Sequence, residues 1–172
     1  MEAPYDNSKS TETGGSKIKR LVSKRDIGIQ AFESDDGNLH LEATLLDPYH
    51  LIRLEIDIDP KIKTIIDASS TFTNYPHESC FLVADKAASM IGLKVARGIT
   101  KEISHRIGGC EGCVHLRELA LATINFAAAT LIGYEEGFGL MSRDFNIQDE
   151  AQRFEISREV LKNTCYIYRE KE

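Results

Sequence analysis

From residue 26 onward the chain alternates apolar and polar positions in short runs. "DIGIQAFE" and "LHLEATLLD" each follow a period of two, and "ESDDGN" between them carries an Asp36-Gly37 turn signal, so the two runs predict a hairpin. "HLIRLEIDID" alternates again, and after Pro60 "KIKTIIDAS" supplies a further strand candidate. Strands joined by such short turns predict an antiparallel sheet. In the third run His50, Ile52, Leu54, Ile56 and Ile58 share one face, with Leu51, Arg53, Glu55 and Asp57 on the other. The first set is apolar and marks the core face, which points His50 inward at the strand's end.

After Tyr75-Pro76 the period lengthens. "CFLVADKAASMIG" sets Val83, Ala84, Ala87, Met90 and Ile91 at helical spacing, with Gly92 as a stop. "TKEISHRIGG" predicts a shorter helix with Thr100 as N-cap and Gly108-Gly109 as its end. The run from Cys113 to about Tyr134 has two apolar stripes. One is Cys113, Leu116, Ala120, Ile124, Ala127 and Leu131; the other is His115, Leu119, Ala122, Phe126 and Ala129. That pattern predicts a central helix packed on both sides. "GYEEGFGLMS" interrupts it, and "DEAQRFEISREVLKNTC" predicts a last, charged amphipathic helix. Residues 1–16 are polar and Ser/Thr/Gly-rich, which predicts a disordered tail before a single domain over 17–172. Strands first and helices afterwards give an α+β fold: three to four antiparallel strands with helices packed on one face.

Composition narrows the function classes. At 172 residues and 42% hydrophobic, the chain suffices for one packed domain. A net charge of -6 argues against a nucleic-acid partner, since phosphate binding needs a basic face. The cluster Lys17, Lys19, Arg20, Lys24 and Arg25 reads as a solvated lead-in strand in preference to an anion site. No stretch reaches the roughly 18 apolar residues of a spanning helix, and the N-terminus lacks the apolar core of a secretory signal. The expectation is a cytoplasmic protein without a membrane partner, whose four cysteines are reduced thiols or metal ligands.

Four residues at the ends of elements carry the chemistry. Cys80 opens the first predicted helix and Cys113 the central one, where unpaired N–H groups and the helix dipole favour thiolate, the form that binds metal or attacks an electrophile. His50 points inward and His115 follows Cys113 by two residues. Two sulfurs and two imidazoles suit zinc or an iron–sulfur cluster. Cys110 and Cys113 also form a Cys-x-x-Cys pair, readable as a metal-binding turn or as a redox dithiol. His40, His77 and His105 read as rim or solvent-side residues, Glu118 as a surface ion pair or an orienting carboxylate for His115, and Cys165 as packing. No phosphate loop, dinucleotide fingerprint or hydrolase elbow is present.

The segments "DGNLHLEATLLD", "DPYHLIRLEIDID", "YPHESC", "IGLKVARG", "GCVHLREL" and "LKNTCYIY" together resemble a bacterial family of unknown function. Its signature includes a strand-start His, a Tyr-Pro…Cys segment and Gly-Cys-Thr-His-Leu. The resemblance runs from about residue 25 to 168 and singles out His50, Cys80, Cys113 and His115. Cys110 falls outside the signature, and Val114 stands where the family has Thr. The order of elements also resembles IscU-type iron–sulfur cluster scaffold proteins. There His50 would stand in place of a carboxylate or thiol, and Cys113-x-His115 in place of an adjacent pair.

The leading expectation is a metal- or cluster-binding protein, in metal handling or as an accessory protein, with His50, Cys80, Cys113 and His115 as ligands. One alternative is a thiol-dependent enzyme with Cys80 or Cys113 as nucleophile. Another is an interaction module with structural Cys and His residues. A protein partner and a homodimer both remain open, because the central helix has apolar surface to spare.

Overall fold

A computed structural model describes residues 20–132, 134, 155, 157–158 and 161–170. The tail at 1–16 and most of the last predicted helix lie outside them. Four strands, β1 (Asp26–Glu33), β2 (Leu39–Leu46), β3 (Leu51–Asp59) and β4 (Thr64–Asn74), form one antiparallel sheet in the order β1-β2-β3-β4. A 3-10 segment over Glu78–Met90 follows, then α1 (Ile99–Ile107) and α2 (Val114–Thr130). The α+β expectation holds.

The β1–β2 turn closes as its sequence requires. Gly37 takes a φ of 81°, a left-handed conformation that a side chain disfavours, and its N–H donates to Ser34 O at 2.9 Å. Alternation then decides the faces. Leu39, Leu41 and Leu45 of β2 and Ile52, Leu54, Ile56 and Ile58 of β3 are fully buried on one face of the sheet. The opposite face is polar: His40, Glu42 and Thr44 pair across the ladder with Asp57, Glu55 and Arg53.

The helices cover the apolar face. Ile99, Ile103 and Ile107 recur every fourth residue along α1, and Leu116, Leu119, Ala120, Thr123, Ile124 and Ala127 line α2; all are buried. Each large side chain buried this way contributes about 1.5–3 kcal/mol. Thr123 is tolerated there because its hydroxyl donates to Leu119 O at 2.8 Å within the helix. α2 packs against β1, β2 and β3, and the 3-10 segment packs against β4.

Three expectations need correction. α2 is not packed on both sides among the described residues: Phe126 and Ala129 of the second stripe are exposed, because the sheet offers one apolar face and α2 lies on it. The helix predicted from Cys80 is a 3-10 segment that starts earlier, at Glu78, and β4 donates to it through Ser70 Oγ on Ala84 O at 2.7 Å. α1 starts at Ile99 with Gly98 as its N-cap instead of Thr100.

Candidate functional site

The pairing register builds one end of the sheet into a polar cluster. Asp26 pairs with Leu46, so the residue before β1, Arg25, meets the residue after β2, Asp47. Arg25 Nε and Nη2 donate to Asp47 Oδ2 at 2.9 and 2.6 Å. Asp47 opens the β2–β3 connection, whose ends are joined by Asp47 N–H on His50 O at 3.0 Å. Its side chain folds back over the same turn. Oδ1 accepts the N–H of Tyr49, the N–H of His50 and the ring Nδ1 of His50, each at 2.9 Å. This is the local bonding that makes Asp a turn residue, and here it also fixes an imidazole.

A carboxylate only accepts, so Nδ1 of His50 carries a proton, and in the neutral ring that contact leaves the lone pair on Nε2. His50 is buried as its strand parity predicts. Against it lies His115, in the first turn of α2, with ring centroids 3.9 Å apart and planes inclined by 37°. Cys113 is the N-cap of that turn, and its Sγ accepts the N–H of Leu116 at 3.4 Å. One helical turn past His115, Glu118 receives Arg25 Nη1 at 2.6 Å. Arg25 therefore ties the start of β1, the β2–β3 turn and α2 together around the two imidazoles.

The electrostatics follow from burial and these contacts. Burial alone would push the Asp47 carboxyl up. The Tyr49 N–H, the His50 ring, the Arg25 guanidinium and the His50 N–H together overcome that and hold it well below the usual carboxylate range. Burial pushes the His115 ring below its ordinary value, and His50 and Arg25 add to the push against opposition from Asp47 and Glu118. His115 is thus biased to its neutral form, the form that coordinates metal.

Asp47, His50 and His115 each place one donor atom within 4.8 Å of the others. Among the described residues, no such group of three includes Cys80 or Cys113. Of the four residues expected from sequence, the structure brings together His50 and His115 and keeps both thiols outside that cluster. Cys80 is half-buried in the first turn of the 3-10 segment, and neither thiol makes a hydrogen bond to a histidine among the described residues. Cys110 and Cys165 are exposed, the latter against the expectation of packing. His77 and His105 are exposed as expected, while His40 is half-buried, with Nδ1 2.6 Å from Asp57 Oδ1 on the far side of the sheet.

Asp47 and Arg25 were missed. The signal for Asp47 was present as Asp-Pro-x-His, a turn opener three residues before a core-facing imidazole. Arg25 had none, because its partners lie 22 and 93 positions away.

A small antiparallel sheet backed by helices, with an Asp/His/His cluster at one end, is the class that fold and site define. The family model described as a protein of unknown function (DUF2889) matches residues 23–129, more than half of the chain, and the protein belongs to that family. The match holds all five residues Asp47, His50, Cys80, Cys113 and His115 and stops short of "LKNTCYIY". No curated protein and no solved structure matches the chain. Among the described residues, no helix is long and apolar enough to cross a membrane.

Proposed function

We propose that this protein binds a divalent transition-metal ion, zinc or ferrous iron, between His50 and His115, and that it serves in metal handling or as an accessory protein. The observation that carries the reading is the approach of two imidazoles to 3.9 Å beside a buried carboxylate. Two protonated imidazoles would repel at that distance, whereas two neutral ones offer lone pairs to a shared cation. Both oxygens of Asp47 already accept hydrogen bonds, so Asp47 serves to orient His50 and to balance the ion's charge. The remaining coordination positions are open to water or to a donor from another molecule, which suits an ion that is passed on.

Imidazole donors suit zinc or ferrous iron. An iron–sulfur cluster calls for thiolates, and Cys80 and Cys113 are not part of the group. The thiol-enzyme alternative lacks a base at hydrogen-bonding distance of either sulfur among the described residues.

Titration calorimetry with zinc tests the proposal. The expected result is one ion per chain for the parent protein and loss of binding in both His50→Ala and His115→Ala. Equal binding in parent and variants, or none in the parent, contradicts it.

A further inference from the structure

The Cys-x-x-Cys pair plays no part in the imidazole cluster, and the loop that carries it is tightly specified. Between α1 and α2 the chain closes on itself: Cys113 N–H donates to Ile107 O at 2.9 Å, and Gly112 N–H to Gly109 O at 3.2 Å. Cys110 sits at the apex of this closed segment. Closure depends on glycine, since a Cβ at Gly112 would stand 2.2 Å from Ile107 O. The loop thus returns Cys113 to the chain only three residues after Cys110, and the two thiols differ in access. Cys110 is exposed, while Cys113 is half-buried, packed against the core and bonded to the first turn of α2.

We propose that Cys110 and Cys113 form a redox-active dithiol that closes to an intramolecular disulfide by exchange with a small-molecule disulfide. The exposed Cys110 thiolate attacks one sulfur of that disulfide, forming a mixed disulfide and releasing one small thiolate. Cys113 then attacks the Cys110 sulfur, forming the Cys110–Cys113 bond and releasing the second small thiolate. The two thiol protons pass to the two leaving thiolates. The protein dithiol loses two electrons and the small disulfide gains them. In the reverse direction Cys113 is the leaving sulfur, and the Leu116 N–H points at the atom on which negative charge collects. None of these steps involves a metal ion.

The test uses the full chain carrying Cys80→Ser and Cys165→Ser, so that only the pair remains. It is incubated with oxidised glutathione, acid-quenched, alkylated and weighed by mass spectrometry. The expected product is lighter by two hydrogen atoms, takes up no alkylating agent, and maps to a Cys110–Cys113 bridge. Adding Cys113→Ser is expected to trap glutathione on Cys110 as a lasting mixed disulfide, because the resolving thiol is gone. Two glutathionylated cysteines, two freely alkylated cysteines, or equal accumulation of the mixed disulfide with and without Cys113 would overturn the proposal.

Discussion

Asp47 Oδ1 lies 2.9 Å from Nδ1 of His50, three residues along the same turn, and it accepts the backbone N–H of His50 at the same distance. A single oxygen thereby shapes the turn and sets the imidazole tautomer. Asp47→Asn keeps an acceptor for the turn but loses the charge that orients the ring and binds Arg25. The expected outcome is a folded protein whose zinc affinity falls by roughly 10–100-fold, as read by competition with a chromophoric chelator. Unchanged affinity would remove Asp47 from the site.

His115 makes stability depend on pH with a definite sign. Its folded value is depressed, so the folded state binds fewer protons than the unfolded chain. This contribution is complete above the unfolded value near 6.5 and is lost as pH falls from there through the folded value. Urea unfolding of metal-free protein should show that decline. His115→Gln is expected to flatten it.

On the opposite face of the sheet, His40 should behave in the reverse way. The hydrogen bond to Asp57 raises its value, with Asp57 and Glu42 charge adding to the effect against burial. The stabilisation is full below about 6.5 and lost as pH rises through the folded value. The pair is partly solvated, so the gain is less than about 1 kcal/mol. Asp57→Asn should return the His40 resonance in a proton NMR titration towards the ordinary imidazole value.

Much of the fold was legible in the chain. The period-two runs placed the hairpin, and the parity of Ile52, Leu54, Ile56 and Ile58 placed His50 inside. Of the candidate Asp/His/His cluster, the two imidazoles were legible and the carboxylate was not. His50 and His115 were readable because each sits at the end of an element whose face the pattern fixes. The thiols share that position, but a helix start sets only a local environment. Whether Cys80 meets His50 depends on how β4 and the 3-10 segment pack, and no spacing encodes that. The exposed side of α2 was misread for a similar reason: apolar residues on two stripes do not tell how many layers there are to cover them.

Two glycines offer a paired test of the loop between α1 and α2. Gly112→Ala puts a Cβ against Ile107 O and is expected to cost roughly 3 kcal/mol in denaturant unfolding. Gly28→Ala in β1 meets nothing within 4 Å and should lie within about 1 kcal/mol of the parent, on the stabilising side. Similar losses at both positions would contradict the close threading that sets Cys113 at the start of α2.

The measurement that bears most directly on the two-imidazole site is a cobalt(II) titration followed by visible and near-ultraviolet absorption, on the parent protein and on Cys80→Ser/Cys113→Ser. The predicted result is a set of d–d bands that saturates at one ion per chain, carries no thiolate-to-cobalt charge transfer, and is the same in both proteins. Thiolate charge transfer that disappears with the cysteines would contradict it and return the site to the sulfurs.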